Sequence, residues 1–241
     1  FDATGPEAIG SLADLNAACT RDGAVIRVKA GVKLEKPLEL IHYTTKGDGC
    51  ASHLRHIVEL GQDASLSVLE AQIGWGGHYL ADRFMHVNLQ ARSNLTHVRV
   101  EDEDTQALHL TTLLAEIETD ANYKATTLAL GGRAGRMQSA IRFKGEGGNA
   151  VSDTAYLLRA DQHLDTTMVA DHAVPACNSA AQAKGVLAGR ATGVFQSKVV
   201  VAPGAQKSDA RQMSNALLLS RDAAMNAKPE LEIYADDVQC A

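Results

Sequence analysis

The chain has 241 residues, 45% of them hydrophobic, only 4% aromatic, and a formal net charge of −6. That suffices for one large domain or two small ones, and the acidic balance argues against a nucleic-acid-binding surface. No run approaches the roughly 18 apolar residues of a membrane helix, and Cys19, Cys50, Cys177 and Cys240 lie far apart without a CxxC, so neither a disulfide framework nor a zinc ribbon is indicated and a reducing cytoplasm is the default reading.

The first residues, Phe1-Asp2-Ala3-Thr4-Gly5-Pro6, lack the basic and apolar regions of a signal peptide, and the absence of an initial Met suggests a trimmed chain. Residues 6–19 predict a short amphipathic helix with Ala8, Ile9, Leu12, Leu15, Ala18 and Cys19 at helical spacing. Asp22-Gly23 turns into the strand Ala24-Val25-Ile26-Arg27-Val28. A second strand over 34–43 carries Pro37, which places it at an edge or an end. Residues 1–23 are read as a cap and turn covering the open end of the structure that fills 24–241.

That structure is set by a repeat over residues 61–158. Leu66, Leu95, Tyr123 and Ala150 each open a run of alternating apolar and polar residues after a polar turn, at spacings of 29, 28 and 27 residues. Period-two alternation marks half-buried strands, and a near-constant period in the twenties marks stacked repeats. The pattern predicts an all-β domain, a right-handed parallel β-helix of about eight coils. Leu95 is expected inside its core.

Three clusters stand out in the first half. Glu101-Asp102-Glu103-Asp104 could attract a divalent cation, but at a turn between strands a solvated charge run is the favoured reading. Gly131-Gly132-Arg133-Ala134-Gly135-Arg136 lacks the ending of a nucleotide P-loop and reads as a turn between coils with two exposed arginines. His53 and His56 fall on opposite faces of a strand and are read as surface residues rather than a metal pair. Further on, Asp171, His172 and Cys177 could form a ligand set or an acid–nucleophile pair, with a polar turn as the favoured alternative. Strands follow over 184–187 and 193–201, with 216–220 and 231–238 closing the sheet. No hydrolase or kinase signature appears, so periodicity provides a fold and no reaction.

The later residues carry a resemblance. His172-x-x-Pro175-x-Cys177-x-Ser179, Lys184-Gly185-Val186-Leu187 and Gly193-Val194-Phe195-Gln196-x-Lys198 resemble the SufB/SufD family of the Suf iron–sulfur assembly system. Ala205-Gln206-Lys207-x-Asp209-Ala210-x-Gln212, Leu217-Leu218-Leu219-Ser220 and Lys228-Pro229-x-Leu231-Glu232-Ile233-Tyr234-Ala235-Asp236-Asp237-Val238-x-Cys240 narrow it to the SufD branch. The resemblance is strong over about the last seventy residues and diffuse upstream.

It implies a non-enzymatic scaffold subunit with a β-helix core, paired with SufB and acting with the SufC ATPase, and it implies a transient iron–sulfur cluster in the complex rather than a cofactor of this chain. Cys240 carries over as an iron or sulfur contact, its alternative being a small buried hydrophobe. The resemblance also implies a histidine one residue later, which is missing because the chain ends at Ala241, and the family's flanking helical domains have no counterpart here. Residues 198–240, with Lys198, Ile233, Tyr234 and Val238, form the expected partner interface, for SufB or a second copy of the chain. A polysaccharide-active β-helix enzyme, built on stacked carboxylates, and a purely structural homodimeric solenoid remain as alternatives.

Overall fold

A computed structural model describes residues 10–45 and 49–241. Among these residues, one helix, α1 (Gly10–Cys19), is followed by sixteen strands that alternate between two parallel sheets. The odd-numbered strands form the first: β1 (Val25–Val28), β3 (Cys50–Leu60), β5 (Tyr79–Leu89), β7 (Leu108–Ile117), β9 (Ala134–Phe143), β11 (His163–His172), β13 (Thr192–Val201) and β15 (Ala224–Ile233). The even-numbered strands form the second: β2 (Leu38–Thr44), β4 (Ser65–Gly74), β6 (Asn94–Asp102), β8 (Asn122–Ala129), β10 (Asn149–Leu158), β12 (Asn178–Leu187), β14 (Asp209–Leu218) and β16 (Gln239–Cys240). Each strand pairs with the one two places later, so the chain winds as a parallel β-helix. The predicted repeat is its register. Leu66 pairs with Leu95, Leu95 with Tyr123 and Tyr123 with Ala150, and the file continues through Ser179 and Ala210 to Cys240.

Side chains on alternate positions point inward, and the inner faces of both sheets form one core of stacked aliphatics. Small residues occur where the stack is tight. A Cβ on Gly185 would run into the ring of Tyr156 one strand back. The polar turns share a second regularity. Gly31, Asp63, Arg92, Asp120, Gly147, Ala176 and Lys207 all have φ between 54° and 73°. Each N–H donates to a turn carbonyl of the following coil: Asp63 to Ala91, Arg92 to Thr119, Asp120 to Glu146. Only two of the seven are glycine. For the others the left-handed conformation costs roughly 1–2 kcal/mol each, which the turn-to-turn ladder offsets.

The N-terminal segment departs from expectation. Residues 6–9 of the anticipated helix lie outside the described residues. The remainder does not bury an apolar stripe: Leu15, Ala18 and Cys19 are exposed, and the one buried residue of α1 is Asn16. Its amide donates to Asp82 Oδ2 at 3.1 Å and to the Leu54 carbonyl at 3.2 Å. Ala13 packs on Phe84, Leu114 and Ala140, which are outward positions of β5, β7 and β9. The Arg55 guanidinium lies 3.7 Å from the Phe84 ring centroid. So α1 rests on the outer face of the first sheet and shields Asp82 and Phe84 from water. Pro37 precedes β2, the edge strand of the second sheet, as its position required.

At the other end, the anticipated single strand over 231–238 is two elements. β15 ends at Ile233, and a turn leads to the two-residue β16, which pairs only with Asp209 and Ala210.

Candidate functional site

Two places concentrate unusual side chains: the C-terminal end of the helix and its interior near the N-terminal end. At the C-terminal end the inward files lose their cover. Leu187 and Val201 are fully buried, whereas their register partners one coil later, Leu218 and Ile233, are 46% and 42% exposed. Leu231, beside the buried Val199, is likewise exposed. Among the described residues no strand lies beyond β15 in its sheet, and β16 covers only the start of β14. Leu217, Leu219 and Tyr234 extend the apolar surface around the rim.

The residues singled out from sequence are distributed over this end in different ways. Ile233 faces the open interior and Tyr234 the rim. Lys198 sits one strand back, half-buried and 2.8 Å from Glu232. Val238 is half-buried against the core and is not presented. Cys240 is also half-buried at the end of the Leu66 file, and burial, aided by Asp209, pushes its thiol up from the ordinary value. A protonated, packed thiol is a small hydrophobe more than a ready ligand.

The interior holds charges that the sequence reading missed. Glu70, on β4, is fully enclosed. It accepts from Gln72 Nε2 at 2.8 Å, His97 Nε2 at 2.9 Å and Arg99 Nε at 2.9 Å, and His42 Nε2 stands 3.5 Å away. Burial alone would raise its pKa, but Arg99, His42 and His97 together hold the carboxyl well below the usual range. His109 lies between Glu103, 3.1 Å from Nδ1, and Glu101, 3.2 Å from Nε2. Burial would lower this imidazole, and the two carboxylates outweigh it and raise it to about 10. Arg83, also inside, donates to the Ser52 carbonyl at 2.8 Å.

This corrects several expectations. The acidic quartet is not a solvated run: Glu101 and Glu103 point inward and are buried, while Asp102 is exposed. Asp104 accepts from the backbone N–H groups of Gly76, Gly77 and Gln106. His109 stands where a cation between Glu101 and Glu103 would stand. His56 is not a surface residue but buried beside His42, with ring centroids 5.0 Å apart, and burial lowers it to about 4. His53 does point the other way, to Asp82 at 2.7 Å. Arg133 is exposed at its turn, but Arg136 lies in β9, 2.7 Å from Asp165. Asp171, His172 and Cys177 do not converge. Asp171 faces Arg142, His172 contacts Ser179 at 2.8 Å inside the core, and Cys177 is buried with its thiol pushed up. Among the described residues no three His, Cys, Asp or Glu side chains come together as metal ligands. Outside, acids of the first sheet meet bases of a neighbouring coil, as in Glu116–Lys144, Asp165–Arg136 and Asp171–Arg142. Stacked free carboxylates, which a glycan-cleaving surface needs, are not formed on that face of the described residues.

The signal for the interior cluster was parity. Counting inward from Leu66 gives Val68, Glu70 and Gln72, and from Leu95 gives His97, Arg99 and Glu101. The alternation that placed Leu66 inside places these charges inside as well.

His109 makes the cluster sensitive to alkali. Its value is raised from 6.5 to about 10 on folding, so its contribution to stability is complete below about 6.5 and is lost as the pH climbs toward 10. Urea midpoints measured across that window should fall for the parent, and His109→Gln should flatten the decline while lowering stability throughout. An equal slope in both proteins would assign the alkaline limb to other groups.

Comparison with known proteins decides the family. The description "SUF system FeS cluster assembly, SufBD core domain" matches residues 42–241. The chain belongs to this SufBD core family. The match reaches far upstream of the last seventy residues that carried the resemblance. The iron–sulfur cluster assembly protein SufD of Escherichia coli K12 is 30% identical over 90% of this chain and 52% of its own length. Protein ABCI7, chloroplastic, of Arabidopsis thaliana is 27% identical over 91% of this chain and 48% of its own. An iron–sulfur cluster assembly SufBD family protein of Mycobacterium tuberculosis is 30% identical over 89% and 55%. This SufBD core therefore spans about half the length of the curated relatives it matches. Among the described residues no helix is long and apolar enough to cross a membrane.

Proposed function

We propose that this SufBD core is a non-enzymatic scaffold for iron–sulfur cluster assembly, docking end to end through its open C-terminal coil onto the matching coil of a SufB-type subunit. The observation that carries the reading is the abrupt exposure of Leu218, Leu231 and Ile233, whose register partners one coil earlier are buried. A second β-helix stacked there continues both sheets and re-covers the apolar files, since unpaired strands recruit partners. Iron, sulfur and the nascent cluster are the cargo of the assembly, which acts with the SufC ATPase. Cys240 lies next to this end, and its raised thiol favours a main ligand role for the partner. The inward placement of Glu70, Glu101 and Glu103 favours a scaffold over a polysaccharide-active enzyme, because a glycan cannot reach acids inside the coil.

Ile233→Lys places a charge on the exposed file without disturbing buried packing. Co-elution with a SufB-type subunit should weaken at least tenfold, which is about 1.4 kcal/mol, while the circular dichroism and melting of the isolated chain persist. The same change should abolish any homodimer seen by light scattering, because a two-fold contact uses this surface twice. Undiminished co-elution moves the interface elsewhere.

A further inference from the structure

Next to the charged cluster the interior is not filled. A cavity of about 50 Å³ is bordered by His97, Arg99 and Tyr123 at one end and by Thr127, Thr154 and Thr166 along its length. The register explains the void. The file that contains His97 continues through Ala125, Ser152 and Ala181, and the one that contains Arg99 continues through Thr127 and Thr154, so long side chains give way to short ones. The space holds a few water-sized species.

Arg99 faces this space with hydrogen-bonding capacity to spare. Its Nε donates to Glu70, but its two terminal nitrogens donate to no group among the described residues, although the side chain is only 7% exposed. These N–H groups border the cavity, so its occupant must accept hydrogen bonds.

Tyr123 can supply a further donor. His97 Nδ1 lies 3.2 Å from the Tyr123 hydroxyl, and its Nε2 lies 2.9 Å from Glu70. When His97 is neutral, Nε2–H donates to Glu70 and the Tyr123 hydroxyl donates to Nδ1. When His97 takes up a proton, Nδ1–H donates to the Tyr123 oxygen, and the hydroxyl hydrogen turns toward the cavity. That proton also adds a positive charge to a set that is otherwise formally balanced: Arg83, Arg99 and protonated His109 against Glu70, Glu101 and Glu103.

We propose that this cavity is a binding site for a small monovalent anion of halide size, held by the Arg99 terminal N–H groups and the Tyr123 hydroxyl and accompanied by one proton on His97. The anion supplies the negative charge that a protonated His97 lacks. The groups facing His97 are Glu70 on β4, which favours the proton, Arg99 on its own strand, which opposes it, and Tyr123 on β8. Without the anion, burial lowers the His97 pKa. Water, being neutral, meets the guanidinium but requires no proton, so the two occupants are distinguishable.

The probe is bromide. Crystals soaked in sodium bromide should show a bromine anomalous peak inside the cavity beside Arg99. In solution, bromide should raise the melting temperature of the parent chain, with an apparent affinity that falls about tenfold per pH unit above neutrality. Tyr123→Phe keeps the ring in the core and removes the reversing hydroxyl, so its bromide increment should shrink. No bromine peak in the cavity, or an equal bromide increment in parent and Tyr123→Phe, overturns the proposal and leaves the cavity to water.

Discussion

Replacing Glu70 by alanine should destabilise the fold by about 3–5 kcal/mol, the range for breaking a buried ion pair from one side. The carboxylate holds three donors at 2.8–2.9 Å inside the coil. Without it, Arg99 loses the carboxylate it is hydrogen-bonded to and keeps only the more distant charge of Glu101, and Gln72 and His97 lose their acceptor. Removing both charges with shapes preserved, as in Glu70→Leu with Arg99→Met, should recover much of that loss, since paired charges repay little more than their desolvation. Denaturant unfolding of the two single variants and the double variant tests this. A double variant no more stable than Glu70→Ala would show that the cluster does more than satisfy itself.

The parent should also depend on acid in the opposite sense to its alkaline limb. The Glu70 carboxyl is held well below its ordinary value, so its contribution is complete above that value and is lost as the pH falls through the depressed one. In the neutral range between these limits the cluster is balanced, which is where the fold should be most stable.

Leu95→Asp should cost at least ~3 kcal/mol, combining lost apolar burial with an unpaired carboxylate in the core. Leu95 is 2% exposed and stacks between Leu66 and Tyr123. For a chain of this size the melting temperature should drop by on the order of 10 °C. The neighbour Thr96 is exposed on the outer face, so Thr96→Asp should stay within about 0.5 kcal/mol. Equal melting of the two variants would mean that the inward and outward positions have been exchanged, because a one-residue slip turns every side chain to the other face.

The proposed interface depends on a different link in the chain of causes. Leu218, Leu231 and Ile233 occupy inward positions like the residues stacked beneath them, and nothing in their local sequence marks them as exposed. They are exposed because none of the described strands covers them. The familiar motif over 205–240 singled out the segment, and the coordinates separated Ile233 and Tyr234, which are presented, from Val238 and Cys240, which are tucked in.

From the sequence alone, the parallel β-helix, its coil length and the inward file of Leu66, Leu95, Tyr123 and Ala150 could all be determined. Those features rest on alternation and period, which are local and repeat in every coil. The left-handed turn residues were not legible, because five of the seven are not glycine and are held by hydrogen bonds to turns 26 to 30 residues later. Asn16 as the anchor of α1 was not legible either, since its partners are Leu54 and Asp82. The pairing of Glu70 with His97 and Arg99, and of His109 with Glu101 and Glu103, depended on which strands become neighbours. Parity could place those charges inside. Only the tertiary register could show that each meets its opposite there, and that is what makes a charged interior tolerable.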